Sequence, residues 1–455
     1  MKILFVSLGC DKNLVDTEHM IGSLAGRELP GSGGAYTFTD NEDEAEIAVV
    51  NTCAFIDAAK EESIEAILSL AQRRQSGQLK VLIVAGCLAQ RFKEEVLTEL
   101  PEVDAVIGTT AADQLPAVLE KVLSSSYSAE PSEKPACFES LRKAPDLSGK
   151  RTLTTGGGYG YLKIAEGCSK CCSYCVIPSI RGPFRSVPME KLIQEAEQLA
   201  GEGVKELILV AQETTVYGTD LYGEKKLPEL LRRLCRIEGF EWIRILYCYP
   251  EEITQELIQV MKEEPKILHY LDMPIQHASN AILQKMHRRT SKAELIEVIT
   301  HLREEIPDIC LRTTLITGFP TEDEKQHKEL LAFVRKMKFD RLGVFTYSRE
   351  DGTLAAKLKP QVGARVKKAR QKEIMLLQQE IAFKKAARMK GKKLRVMIEG
   401  RIADQDGVYT ARSYRDAPGV DGLVFVESDR TFLSGDFVTV RVTGAQGYDL
   451  IAREA

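Results

Sequence analysis

Short apolar runs alternate with helix-like segments along most of this 455-residue chain, and no other feature constrains its fold as strongly. In the first part, the apolar runs cover residues 2–7, 47–51, 81–85 and 105–107, and the helical patterns cover 13–24, 57–73 and 88–100. Strands that alternate with helices form parallel sheets covered by those helices. Residues 1–124 are therefore predicted to form an N-terminal parallel α/β domain.

The same alternation returns after residues 125–150, whose Ser, Pro and charge content predicts a linker. Strand candidates then lie at 161–164, 206–210, 242–246, 270–272, 311–316 and 343–346. Six such units predict a partial, open (βα)6 barrel rather than a closed eight-fold one. A long basic helix at 361–388 follows, so the predicted central domain spans residues 151–388.

The last part of the chain, residues 389–455, changes character. Short strand-like runs at 394–399, 408–410, 423–426 and 437–442 are separated by Gly and Asp, which predicts a small OB-like β-barrel. Residues 396–455 contain six Arg, no Lys and ten acids. This balance suits a basic protein partner better than the phosphates of a nucleic acid.

Composition excludes several classes of function. The net charge of −4 argues against a uniformly basic nucleic-acid binder, and no apolar run approaches the ~20 residues that cross a bilayer. The chain is therefore expected to be cytoplasmic, with no membrane partner. In a reducing cytosol its 11 cysteines indicate metal, redox or nucleophilic chemistry, or ordinary buried thiols, rather than disulfides.

Three cysteines lie close together just after a predicted strand. Cys168, Cys172 and Cys175 have three and then two residues between them, so a short loop can wrap their thiolates around one face of a 4Fe-4S cube. Three ligands leave one iron open, as a catalytic site requires. Zinc held by the interleaved pairs Cys168/Cys171 and Cys172/Cys175 is the alternative. Since neighbouring side chains at 171 and 172 would point apart, Cys171 is predicted to be a bystander.

Three further cysteines, Cys10, Cys53 and Cys87, each fall just past a predicted strand of the N-terminal domain. Residues beyond the carboxyl ends of adjacent parallel strands converge on one crevice. These thiols could hold a metal centre there, or they could be buried small hydrophobic residues. The sequence pattern alone leaves both interpretations open.

Residues 167–183, GCSKCCSYCVIPSIRGP, resemble the radical S-adenosylmethionine methylthiotransferase family. The resemblance extends to SLGCDKN around Cys10, VNTCAF around Cys53 and VAGCLAQR around Cys87. It implies two 4Fe-4S clusters, one on each cysteine triad, with S-adenosylmethionine chelated at the open iron of the cluster on Cys168, Cys172 and Cys175. Reductive cleavage of this cofactor would give a radical, and a methylthio group would be transferred to an unactivated carbon. No catalytic residue is expected beyond the clusters.

The resemblance also places the cofactor at the strand ends of the central barrel. Tyr174, next to the last cysteine, could pack near the adenine. The other expected cofactor-binding residues are Gln212, Gln276, Arg312, Ile316 and Gly318. Gln212, Gln276 and Arg312 could satisfy the amine, ribose and carboxylate by hydrogen bonds, or they could bond within the barrel. His277 is expected to be a structural hydrogen-bonding residue.

Several motifs resemble the RimO type of this family, which modifies a ribosomal protein. They are CDKNLVD at 10–16, YCYP at 247–250 and DAPGVDG at 416–422, and the terminal barrel resembles a TRAM domain. The resemblance implies methylthiolation of the β-carbon of an aspartate in small-subunit ribosomal protein twelve, free or in the ribosomal subunit. It further implies an electron donor as partner, and a monomer is expected. The alternatives are a transfer-RNA adenosine methylthiotransferase and a non-catalytic iron-sulfur or electron-transfer protein.

Overall fold

The computed structural model describes residues 1–28, 34–124, 134–144, 149–156, 158–403 and 405–455. Its two six-stranded sheets and its closed five-stranded barrel confirm the predicted architecture of a parallel-sheet domain, a partial barrel and a small β-barrel. The chain divides into two compact units, of which the first comprises Met1–Thr154, Ala165–Cys171 and Cys175–Val187. The second comprises Thr155–Ile164, Cys172–Tyr174 and Pro188–Ala455. Much of the predicted linker, at 125–133 and 145–148, lies outside the described residues.

A parallel sheet of six strands forms the centre of the first unit. In spatial order the strands are Thr37–Thr39, Lys2–Ser7, Ile47–Thr52, Val81–Gly86, Ala105–Ile107 and Ala136–Cys137. The two edge strands were not predicted, because two or three residues are too few to show a periodic pattern. One of them comes from the predicted linker, where Ala136 and Cys137 pair with Val106 and Ile107.

Helices cover both faces of this sheet and enclose two apolar cores. They are Asp11–Leu24, Asp57–Gln75, Cys87–Phe92, Glu95–Glu99, Leu115–Ser124 and Ile177–Arg181. The single helix predicted at 88–100 is wrong: it is two helices, because Lys93 adopts φ 51°, a left-handed conformation that a right-handed helix cannot continue. Ala165–Glu166 and Arg185–Ser186 form a short antiparallel pair in the same unit.

The second unit contains the predicted open barrel. Its six parallel strands lie side by side in chain order: Tyr159–Lys163, Glu206–Val210, Trp242–Ile245, Ile267–Asp272, Cys310–Thr317 and Arg341–Thr346. The helices of this unit are Met189–Gly201, Thr219–Tyr222, Leu227–Cys235, Gln255–Glu263, Asn280–Lys285, Lys292–Glu305, Glu324–Met337 and Ala364–Ala387. None of the described helices combines the length and the apolar character needed to cross a bilayer.

Five strands close the terminal barrel of the second unit. They are Lys393–Arg401, Val408–Ser413, Val424–Glu427, Phe437–Gln446 and Asp449–Glu454. The last was not predicted, since Leu450, Ile451 and Ala452 form a continuous apolar run without the alternation of a half-buried strand. It pairs antiparallel with Phe437–Gln446 and parallel with Val424–Glu427, and so removes the open edges of the sheet.

Candidate functional site

The three N-terminal cysteines lie at the carboxyl ends of three neighbouring strands, as predicted. Cys10 directly precedes the helix Asp11–Leu24, Cys53 follows the strand Ile47–Thr52, and Cys87 begins the helix Cys87–Phe92. Gly9 packs against Cys53 so closely that a Cβ on Gly9, which has φ +89°, would lie 2.8 Å from the Cys53 Sγ. The segment that carries Cys10 is therefore in direct contact with Cys53.

The thiols of this triad are close enough to influence one another electrostatically. The pKa of Cys87 is raised to about 12, mainly by burial; Arg181 opposes this increase, and the charges of Cys10 and Cys53 add to it. Burial also raises the pKa of Cys53, and Cys10 adds to this increase. Cys53 and Cys87 are buried thiols that resist ionisation, and they need a cationic centre to hold them as thiolates, which is what iron-sulfur ligation provides.

Asn13 connects all three cysteines. Its Nδ2 donates to the carbonyl oxygens of Leu8 and Thr52, both at 2.9 Å; Leu8 lies two residues before Cys10, and Thr52 directly precedes Cys53. Its Oδ1 lies 3.7 Å from the Sγ of Cys87, which donates to it, and it also accepts from Arg181.

Arg181 is a functional candidate that the sequence analysis missed. It lies at the end of the helix Ile177–Arg181, is 1% exposed, and donates to Asp16 at 2.7 Å and Glu166 at 3.1 Å. Its sequence neighbours, Ile180 and Gly182, gave no sign of a charged partner. The only available signal was a charged residue within an otherwise apolar and small segment, IPSIRGP.

The second cysteine group begins with a tight loop in the first unit. Gly167 adopts φ +76°, and a Cβ there would lie 2.2 Å from the carbonyl oxygen of Pro183, so only glycine fits. The backbone N–H of Cys168 donates to Gly182 at 3.1 Å, and the buried Cys168 Sγ accepts from the N–H of Lys170 at 3.4 Å. Cys175 belongs to this unit as well. Cys171 is exposed, and its predicted bystander role stays a prediction.

Cys172 and Tyr174 belong to the second unit. The Cys172 Sγ lies 3.7 Å from the hydroxyl of Tyr249, whose ring is covered by the buried guanidinium of Arg288 at 4.1 Å. The ring of Tyr174 meets Phe319 edge-on with centroids 6.4 Å apart, so it lies near the strand end that carries Gly318.

Among the predicted cofactor-binding residues, Gln276 has the most unusual geometry. It adopts φ +69°, which is strained for glutamine, and its N–H donates to Thr314 while its carbonyl accepts from Ile316 at 2.7 Å. Its buried side-chain Oε1 has no hydrogen-bond partner within the described part of the chain. Strain together with an unsatisfied buried acceptor is typical of a ligand-binding position.

The other strand-end residues have defined neighbours. Gln212 lies two residues after the strand Glu206–Val210. The Gly318 N–H donates to Glu322 at 2.7 Å, and at φ +69° a Cβ on Gly318 would lie 2.4 Å from Cγ of Lys367. His277 is fully buried and accepts from the N–H of Ser279 at 2.9 Å, as expected of a structural residue.

Arg312 forms ion pairs within the second unit. It is the third residue of the eight-residue strand Cys310–Thr317, and its Nη1 donates to Asp272 at 2.9 Å. Asp421 of the terminal barrel lies 3.7 Å from its Nε. Its role toward a cofactor carboxylate stays a prediction, which this ion pair does not favour.

Within the described residues, no three His, Cys, Asp or Glu side chains converge as a single metal ion would require. A 4Fe-4S cube sets a different condition, because each thiolate binds a separate iron at a different corner. All-thiol donor sets select iron-sulfur clusters over hard cations. The three thiols of Cys10, Cys53 and Cys87, with the buried Arg181 bonded to the same Asn13 as Cys87, therefore fit such a cluster.

Three family models match separate parts of the chain. Residues 2–108 match the uncharacterized protein family UPF0004, residues 162–334 match the radical SAM superfamily, and residues 391–454 match the TRAM domain. They correspond to the parallel-sheet domain, the open barrel and the closed terminal barrel.

Curated relatives match over almost the whole chain. The ribosomal protein uS12 methylthiotransferase RimO of Lachnoclostridium phytofermentans is 58% identical over 99% of both chains. The protein of the same name from Acetivibrio thermocellus is 49% identical over 99% of this chain and 97% of its own. A solved radical S-adenosylmethionine methyltransferase, TsrM from Kitasatospora setae with cobalamin and a [4Fe-4S] cluster bound, has a TM-score of 0.56 at 11% identity. It covers 78% of this chain and 73% of its own, and shows the fold alone.

Proposed function

Because this chain belongs to the radical S-adenosylmethionine methylthiotransferases of the RimO type, we propose that it adds a methylthio group to the β-carbon of one aspartate in small-subunit ribosomal protein uS12. Membership makes it a transferase that uses S-adenosylmethionine and a 4Fe-4S cluster. The relatives carry the uS12 name at 44–58% identity over the full chain, and this supports the ribosomal substrate over transfer RNA. Membership in an enzyme family also excludes the non-catalytic iron-sulfur protein.

We assign the cluster that cleaves the cofactor to Cys168, Cys172 and Cys175. When bound, it supplies the electron for reductive cleavage of S-adenosylmethionine. Tyr174 would pack against the adenine, and Gln212, Gln276, Ile316 and Gly318 would orient the rest of the cofactor at the strand ends. The buried, unpaired Oε1 of Gln276 supports this assignment, because it can accept from the ribose or the amine.

We assign an auxiliary 4Fe-4S cluster to Cys10, Cys53 and Cys87. The observation that supports this assignment is the set of hydrogen bonds of Asn13. This side chain bonds to the backbone just before Cys10 and Cys53 and to the thiol of Cys87. A protein with one cluster has no place to hold the sulfur that must be methylated before transfer. Two thiol triads therefore explain a methylthio transfer better than one.

The remaining partners follow from the chemistry. Reductive cleavage needs an external electron donor, and a modified ribosomal protein implies action in the cytoplasm. The terminal barrel, with ten acids against six Arg in residues 396–455, is proposed to contact the basic substrate. The enzyme is expected to act as a monomer.

An anaerobic assay tests the proposed reaction. Enzyme reconstituted with iron and sulfide is supplied with a chemical reductant, a sulfur source and S-adenosylmethionine, and is offered free uS12, small ribosomal subunits or bulk transfer RNA. Mass spectrometry should find a methylthio mass gain on one aspartyl peptide of uS12, free or assembled. The Cys168→Ala, Cys172→Ala, Cys175→Ala triple variant is the control and should give none. Methylthiolated adenosine with unmodified uS12 would overturn the proposal.

A further inference from the structure

We infer that Arg181 is a positioning residue for the auxiliary cluster, and that its buried cation raises the reduction potential of the cluster on Cys10, Cys53 and Cys87. The inference rests on the two-cluster assignment proposed above. It gives a role to a buried residue outside the two cysteine triads.

Arg181 holds its charge at a fixed place in the first unit. Arg181 is fixed by three acceptors of the first unit: Asp16 at 2.7 Å, Glu166 at 3.1 Å and the Oδ1 of Asn13. Its side chain is almost completely buried, so bulk water does not screen it. A guanidinium remains protonated in such a site, and this one carries a fixed positive charge.

Asn13 connects that charge to the thiols. Asn13 Oδ1 is shared between Arg181 and the Cys87 Sγ, and Asn13 Nδ2 binds the carbonyls of Leu8 and Thr52. Asn13 therefore holds the guanidinium, the Cys87 thiol and the backbone beside the other two cysteines in one rigid junction.

A fixed positive charge at this place would favour the addition of an electron to the cluster. Three thiolates give a 4Fe-4S cluster a net negative charge, and reduction makes that charge more negative. Net charge and hydrogen bonds to the sulfur atoms are among the factors that set cluster potentials. A fixed cation beside the thiolates stabilises the reduced cluster more than the oxidised one, so its removal should make reduction harder.

A buried arginine of the same unit provides a matched control. Arg151 donates to Glu18 at 2.6 Å through Nη2 and at 3.0 Å through Nε, and both side chains are buried. Glu18 lies on the helix Asp11–Leu24, which also carries Asn13 and Asp16. Loss of Arg151 should disturb the packing of this helix as much as loss of Arg181, without removing the charge at the Asn13 junction.

The experiment uses the full chain with Cys168→Ala, Cys172→Ala and Cys175→Ala, so that only the auxiliary site can bind a cluster. Arg181→Met, Arg181→Lys and Arg151→Met are each added to this background and reconstituted with iron and sulfide. Circular dichroism checks the fold, iron analysis counts the cluster, and a redox titration followed by electron paramagnetic resonance measures the potential.

We expect Arg181→Met to lower the equilibrium constant for reduction about tenfold, a shift of about 59 mV for one electron. Arg181→Lys, which keeps the charge, and Arg151→Met should stay near the background value. If Arg181→Met does not hold a cluster, the potential of the Arg181→Lys variant is used instead. A potential of Arg181→Lys well below that of the background protein would overturn the inference.

An unchanged potential in Arg181→Met, or an equal shift in Arg151→Met, would also overturn it while leaving the two-cluster assignment intact. A background protein that binds no cluster at all would instead overturn that assignment, and the inference with it.

Discussion

Arg412 of the terminal barrel donates from Nη1 to the Oε2 of Glu206, the first residue of a central-barrel strand, at 2.6 Å with both side chains buried. Glu206 also accepts from Arg244 at 2.6 Å. The two barrels of the second unit are thus joined by an ion triad that water does not reach.

The triad should contribute strongly to stability. Arg412→Ala leaves Glu206 buried with only Arg244 as partner, and we expect a loss of about 3 kcal/mol, the lower end of the range for a broken buried pair. Urea unfolding measures it. Arg395→Ala is the control, because the Arg395–Glu241 pair at 2.7 Å joins the same two barrels but is 49% and 46% exposed. It should cost less than about 1 kcal/mol, and equal losses would contradict the role of burial.

The same carboxylate predicts a pH dependence. Burial acts to raise the pKa of Glu206, but Arg244 and Arg412 outweigh it and hold the pKa below the ordinary 4.5. Such a group adds stability above its unfolded pKa and loses it as pH falls through the folded one. The free energy of unfolding should therefore decline below pH 4.5, and the difference between the wild type and Glu206→Gln should shrink there. A difference that stays constant through this acid range would refute the prediction.

The two cysteine triads should separate into two activities. Replacing Cys168, Cys172 and Cys175 with Ala should abolish reductive cleavage of S-adenosylmethionine while some iron stays bound. Replacing the N-terminal triad should spare cleavage, measured as 5′-deoxyadenosine, and stop methylthiolation of uS12. Cys171→Ser, at an exposed thiol, should leave both unchanged. Deoxyadenosine from the first triple variant would show that the cluster assignment is wrong.

Gln276 should contribute to cofactor affinity. Its buried Oε1 has no partner in the described part of the chain, so Gln276→Ala should weaken S-adenosylmethionine binding about tenfold, equivalent to about 1.4 kcal/mol. Equilibrium dialysis with reconstituted enzyme measures this. Gln378→Ala is a close control, because Gln378 is also buried with an Oε1 that lacks a described partner, but lies on the long helix Ala364–Ala387. Similar losses in both variants would indicate a structural effect.

The sequence predicted those parts of the site that depend on local spacing. The loop from Cys168 to Cys175 and the positions of Cys10, Cys53 and Cys87 follow from spacing and from the ends of apolar runs. Arg181 was missed, because its partners Asp16 and Asn13 lie 165 and 168 residues away along the chain. Arg312 stays a predicted cofactor-binding residue, and its ion pair with Asp272 could not be predicted, because it depends on which strands are neighbours.

The sequence by itself determined the strands and helices that have a clear periodicity and the order of the three domains. It also determined which six cysteines form the two triads. Tertiary structure decided the rest. It added the edge strands Thr37–Thr39 and Ala136–Cys137 and the closing strand Asp449–Glu454, and it brought Glu206 to Arg412. The physical reason is that periodicity is a local property of the chain, whereas short pairings and buried ion pairs gain their energy only from partners that folding brings together.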